Sequence, residues 1–263
     1  MQSICQDLLD EYQALAALCD TLTSNEWQQP TAFYAWSAWD EIAHLCYFDE
    51  TGLQSATDAE GFNQAALPLA KRLYAGEPIS AIARERYAHL DGPALLAHWR
   101  GLHTALVQAL STLDAKDRLP WYGPPMSARS FASARLMETW AHGQDIWDGV
   151  QRKRPATARL KHIAHLGVST FKWTFVNRQL PVPEVLPHVV LSAPDGDTWT
   201  WNDASDSHCV HGSAEDFCLL VTQRRHLNDT GLHYVGEDVQ QWLLMAQCFA
   251  GPPADGPMAG VRV

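Results

Sequence analysis

Glu138, His142 and Asp145 stand in the stretch RLMETWAHGQDIWDG (135–149), spaced by four residues and then three. On an α-helix, residues i and i+4 lie about 40° apart and i+7 returns to within about 20°. The three polar side chains therefore share one helical face. Glu138 and His142 can hold one divalent ion between them, but a catalytic zinc typically takes three protein ligands and keeps a further position open. The third candidate is His44, in WSAWDEIAHLCYFDE (36–50), where Ile42, Ala43 and Leu45 surround it with apolar sequence and point it inward. Two histidines and one carboxylate also suit non-haem iron, and either metal would keep positions for water or substrate.

Taken alone, this spacing carries little. Glu85 and His89 repeat it in ERYAH, which reads as surface. The face of Glu138 could be solvated, Asp145 could simply pair with a histidine, and His44 could be a core histidine. Other metal sites fit worse. There is no HExxH. Glu41-Ile-Ala-His44 matches the ExxH unit of di-iron bundles, but the partner stretch has ExxxH, which disfavours a di-iron site. Nucleophile-elbow, phosphate-loop and dinucleotide signatures are all missing.

The elements that must position these residues are mostly helices. Leu8, Leu9, Tyr12, Leu15, Leu18 and Leu22 repeat close to a 3.6 period, predicting a helix over 3–23. A second begins near Trp39, with Ser37 as its N-cap and Asp40 and Glu41 in its first turn. Gly61 and Pro68 are expected to break the segment that follows. A third stretch spans about 80–115 with an interruption at DGP (91–93), and the loop LPWYGPPMS leads to the helix of Glu138. Four main antiparallel helices predict an all-α bundle of up-down type.

The character changes after RKRP. One helix is expected over 157–178, then a hairpin turning at Asp195-Gly196. Ser213 and Asp216 fit a capping-box pattern opening a short helix. A strand at GLHYVG and a closing helix ending at Gly251 complete a small C-terminal α+β domain. The domains predicted are 1–155 and 156–263.

The 263 residues carry a net charge of −11, with no basic stripe beyond QRKR (151–154), which argues against nucleic acid as a partner. No run approaches the ~18 apolar residues of a membrane span, so no membrane partner is expected. The start has neither a basic region nor an apolar leader, and the six cysteines form no CxxC pair. A reduced, cytoplasmic protein is the expectation. Eleven tryptophans hint at a walled cleft, with Trp36, Trp39, Trp140 and Trp147 as candidates.

AWSAWDEIAHLCYFDE resembles the GWT…D…AHL signature of the DinB-like, mycothiol-dependent maleylpyruvate isomerase N-terminal fold, with Ala35 where the common pattern has Gly. RLMETWAHGQDIWDG is similar to that family's second metal-binding helix. GSAEDFCLLVTQRRHLNDTGLHYVGEDVQQWLLMAQCFAGPP resembles a bacterial branch of uncharacterised DinB-like proteins, some labelled "wyosine base formation". The resemblance implies a DinB-like four-helix bundle in which His44, Glu138 and His142 hold a divalent metal, zinc foremost, with iron or nickel as alternatives. It implies mycothiol or another low-molecular-weight thiol as cofactor; Trp36 and Trp140 are the candidates to line the place where it would bind. It also implies a C-terminal domain that closes over the site and supplies an arginine, Arg224 or Arg225, to clamp a substrate carboxylate. Asp145 would orient the bound thiol or move its proton.

The expected function is a metal- and thiol-dependent isomerase or S-transferase acting on a small anionic electrophile. A mononuclear non-haem iron oxygenase and a non-catalytic metal- or ligand-binding stress protein are the alternatives. Neither the oligomeric state nor the individual substrate is written in the sequence.

Overall fold

The computed structural model describes residues 1–262. The chain divides into two compact units, one spanning Met1–Lys153 and the other beginning at Arg154.

The first unit is helical: α1 (Gln2–Cys19), α2 (Ser24–Gln28), α3 (Ala38–Thr57), α4 (Ala59–Tyr74), α5 (Ile79–Tyr87), α6 (Gly92–Ser111) and α7 (Ala128–Gly149). A two-residue hairpin, β1 (Arg118–Leu119) and β2 (Met126–Ser127), precedes α7. The long helices pack in a ring, with α1 and α3 each contacting both α6 and α7. Their apolar stripes supply the core: Leu8, Tyr12 and Leu15 from α1, Ile42 and Leu45 from α3, Trp99 and Leu106 from α6, Phe131 and Leu136 from α7, all essentially without solvent contact. Burying each such side chain contributes about 1.5–3 kcal/mol, which fixes the inward face of every helix.

The start of α3 follows the sequence closely. The Ser37 hydroxyl accepts from the Asp40 backbone N–H at 3.3 Å, and the Asp40 carboxylate accepts from the Ser37 backbone N–H at 2.9 Å. This reciprocal pair satisfies two donors at the helix start and sets the phase of Glu41 and His44. The interruption at 91–93 is a full break, where the Asp91 carboxylate accepts from the Ala94 N–H at 2.9 Å and opens α6.

The expected break at Gly61 and Pro68 is not there. Both lie inside the continuous helix α4, whose N-cap Asp58 accepts from the Gly61 N–H at 2.9 Å. Pro68 is on the exposed side, so water can serve the carbonyl that its missing N–H leaves without a helical donor.

The second unit combines α8 (Leu160–Ser169), α9 (Phe171–Asn177), α10 (Ala214–Val221) and α11 (Glu237–Met245) with a four-stranded sheet. The strands are β3 (His188–Ser192), β4 (Thr198–Trp201), β5 (Cys209–Ser213) and β6 (His233–Val235), in the order β4-β3-β5-β6. The β3–β4 hairpin closes Ser192 against Thr198, with Gly196 at φ +92°, a conformation that favours glycine. β5, which alternation alone does not reveal, runs parallel to β3 and antiparallel to β6. Val189, Leu191, Trp199 and Val210 face the core with Phe171, Phe217 and Trp242. As expected, the Ser213 hydroxyl opens α10, accepting from the Asp216 N–H at 2.9 Å.

Two boundaries differ from expectation. The single helix of 157–178 is two helices, α8 and α9, meeting at Thr170. The closing helix stops at Met245, because Ala246 turns extended well before Gly251. All six cysteines are buried, and no two are bonded to each other. Among the described residues, no helix is long and apolar enough to cross a membrane.

Candidate metal centre

His44 on α3 and Glu138 and His142 on α7 come together at the facing surfaces of the two helices. His142 Nε2 lies 3.3 Å and His44 Nε2 lies 3.7 Å from Glu138 Oε2. The imidazole centroids are 4.4 Å apart, and one ligand atom from each residue falls within 4.8 Å of the others. Two ligands of a tetrahedral zinc with bonds of about 2.0–2.1 Å lie about 3.3–3.4 Å apart. The donor types and their spacing therefore fit a divalent ion. Burial alone would raise the Glu138 carboxyl, but the two imidazoles outweigh it and hold the group well below the usual carboxylate range. A carboxylate kept anionic between two imidazoles is the state in which it can bind a cation.

The histidines are nearly enclosed, while a quarter of the Glu138 side chain reaches the surface. Aromatic rings collar them. Trp36 stacks on His142 at 5.9 Å and tilts across His44 at 5.3 Å, Phe33 meets His142 edge-on at 5.5 Å, and Phe48 lies 4.8 Å from His44. The loop before α3 delivers the first two rings. Its tight turn carries Tyr34 at φ +49° and Ala35 at φ +57°, closed by Trp36 N–H donating to the Phe33 carbonyl and Thr31 N–H to the Trp36 carbonyl. A left-handed residue other than glycine costs roughly 1–2 kcal/mol. The local cost at Ala35 explains why glycine suits this position.

The remaining sequence candidates are placed as follows. Asp145 is 3% exposed, and its carboxylate groups with Glu41 and a ring nitrogen of His142 within 4.8 Å. Trp140 is buried, but it stands two residues from both Glu138 and His142 and so leaves α7 on the opposite side. Trp36 packs against both His44 and His142. Arg224 and Arg225 follow α10 in the second unit. Arg224 is buried and donates to the Thr222 carbonyl at 2.7 Å, and Arg225 donates to the Arg224 carbonyl at 2.9 Å.

Two functional features escape a reading of the sequence. Glu41, fully buried, meets His142 Nδ1 at 2.7 Å through Oε2. Its place three residues before His44, on the same face, is the available signal. The second feature is Asp49, five residues beyond His44. Its carboxylate accepts from Tyr12 Oη at 2.6 Å, Trp99 Nε1 at 2.7 Å and Arg135 Nε at 2.8 Å, joining α1, α6 and α7 to α3. Arg135 lies one turn before Glu138, so this buried ion pair pins the register of the helices that carry His44 and Glu138.

A ring of helices that brings two imidazoles and a carboxylate together from two of its members offers a donor set that could hold a divalent ion. The mycothiol maleylpyruvate isomerase N-terminal domain family matches residues 8–147, and the chain belongs to that family. Uncharacterized proteins from two strains of Mycobacterium tuberculosis are each 43% identical over 252 residues, covering 95% of this chain and 96% of their own. Among solved structures, the mycothiol-dependent maleylpyruvate isomerase is similar with a TM-score of 0.56 at 13% identity, covering 83% of this chain and 87% of that one. A histidine-to-alanine mutant of the isomerase gives the same TM-score at 12% identity. At such identity the likeness establishes a shared fold, helix-rich with a small sheet.

Proposed function

We propose that the protein is a metal-dependent enzyme that uses a low-molecular-weight thiol to isomerise, or transfer that thiol to, a small anionic electrophile. The observation that carries this reading is the convergence of His44 Nε2, Glu138 Oε2 and His142 Nε2 in a chain of the maleylpyruvate isomerase family. On this reading the long helices form a DinB-like four-helix bundle, and the three side chains hold the ion, zinc foremost. A divalent ion bound there would favour the thiolate, the nucleophilic form of a thiol, near neutral pH.

The chain's own residues do the rest. Trp36, Phe33 and Phe48 wall the histidines and limit water, which strengthens each electrostatic contact inside. Asp145 serves as the group that orients the thiol or takes its proton. Family resemblance supports Arg224 or Arg225 as the guanidinium for a substrate carboxylate. In an isomerisation, the thiolate sulfur adds to one carbon of a cis double bond and the electron pair passes to the conjugated carbonyl. Rotation about the new single bond and expulsion of the thiolate leave the trans product, with the thiol regenerated.

The test has two parts. Protein purified without added metal should carry close to one equivalent of zinc, and His44→Ala should lose it. The zinc-loaded protein should then bind mycothiol, glutathione or bacillithiol in a calorimetric titration, and His44→Ala should not. Stoichiometric iron with oxygen uptake would replace this reading by an oxygenase. Metal without binding of any thiol would replace it by a metal-binding protein without turnover.

A further inference from the structure

We propose that Glu41 is a positioning residue that fixes the proton and the ring orientation of His142, so that Nε2 is the atom presented to the ion. The inference rests on the metal reading above and assigns a role to a residue outside the ligand set. Glu41 Oε2 lies 2.7 Å from His142 Nδ1, while the opposite ring nitrogen, Nε2, lies 3.3 Å from Glu138 Oε2. A carboxylate accepting at Nδ1 requires the proton to sit on Nδ1, and the lone pair of Nε2 then faces the other ligands. Histidine ligands to metals are held by such carboxylate partners, which set the tautomer and raise ligand basicity.

The ring has two orientations related by a half-turn about its outer torsion, and shape alone barely separates them. Trp36 stacks on one face of His142 and Phe33 meets it edge-on; neither distinguishes nitrogen from carbon along the ring edge. Glu41 does, because a flipped ring would set a carbon where the carboxylate now meets Nδ1. Glu41 is itself enclosed. It lies in the first turns of α3 beyond the Ser37–Asp40 cap, without solvent contact, where the helix N-terminus favours negative charge.

Glu41→Gln tests this, because the amide is isosteric and can still accept a hydrogen bond but has lost its charge. Zinc affinity, measured by competition with a chromophoric chelator, should fall about 10–100-fold, with the urea midpoint of the metal-free protein recording any general destabilisation separately. A folded Glu41→Gln protein that binds zinc within about twofold of the wild type would overturn the proposal. Nitrogen NMR of ring-labelled histidine supplies a second reading on the metal-free wild type, in which His142 Nδ1 should carry an exchange-protected proton. An unprotonated Nδ1 there overturns the proposal even if Glu41→Gln fails to fold. Should the wild type bind no zinc at all, the metal reading fails, whereas the ring signal still decides whether Glu41 sets the tautomer.

Discussion

Replacing Asp49 by asparagine should destabilise the helical unit by about 3–5 kcal/mol, the usual cost of removing one partner from a buried ion pair. Asp49 is 0% exposed and Arg135 3%, so no water replaces the lost charge. The geometry leaves the amide no good orientation. With its oxygen toward Tyr12 and Arg135, its NH₂ meets the Trp99 indole N–H donor. Turned over, the NH₂ meets the guanidinium. Burial opposes the charge on Arg135, while the Asp49 carboxylate foremost, with Glu138 behind it, sustains it, so the substitution would leave a buried cation without its hydrogen-bonded counter-charge. For a protein of this size each kcal/mol shifts the melting temperature by roughly 2–4 °C, which predicts a fall of about 6–20 °C in calorimetry. The double variant Asp49→Leu, Arg135→Met should recover most of the loss, since paired apolar replacements of buried ion pairs are often neutral or stabilising. A single variant that loses less than about 1 kcal/mol, or a double variant as unstable as the single, would refute the argument.

Two further outcomes follow from burial and close packing. His103 on α6 is enclosed, stacked on Tyr12 at 4.6 Å, with neither ring nitrogen hydrogen-bonded; burial depresses its pKa from 6.5 to about 4. The unfolded chain takes up this proton below about pH 6.5 and the folded one only near pH 4, so stability should fall across that window by up to about 3 kcal/mol; His103→Phe should flatten that part of the pH–stability curve measured in urea. In the second unit, a Cβ on Gly167 of α8 would come within 2.9 Å of both Val221 methyl carbons on α10, so Gly167→Ala should destabilise by about 1–2 kcal/mol despite its gain in helix propensity; a raised urea midpoint would contradict this.

Local chemistry is legible in the sequence, and contacts between distant segments are not. The caps at Ser37 and Ser213 and the turn at Asp195-Gly196 depend on residues within three or four positions of each other. The ExxxH spacing of Glu138 and His142 likewise follows from helical geometry alone. Pro68 departs from expectation because its effect depends on which side of α4 meets water. β5 leaves no clear trace because its register is imposed by β3 and β6 rather than by its own pattern. Trp140 belongs to the far side of α7, which a count of two residues from His142 is enough to show. The Glu41–His142 contact joins residues 101 positions apart, and the Asp49 carboxylate collects donors from three other helices. Beyond the place of Glu41 three residues before His44, no local spacing announces either one.

That separation bears on the order of assembly. His44 stands on a helix in the first part of the chain, and Glu138 and His142 stand on one that follows α4, α5, α6 and the short hairpin. Closing the site therefore means closing a loop of roughly a hundred residues, with an entropic cost that grows as the logarithm of its length. The Asp49–Arg135 pair, 86 residues apart, closes the same loop without any ion. A contact between the two helices is thus made by the polypeptide alone, unlike small zinc modules whose folding is driven by the ion.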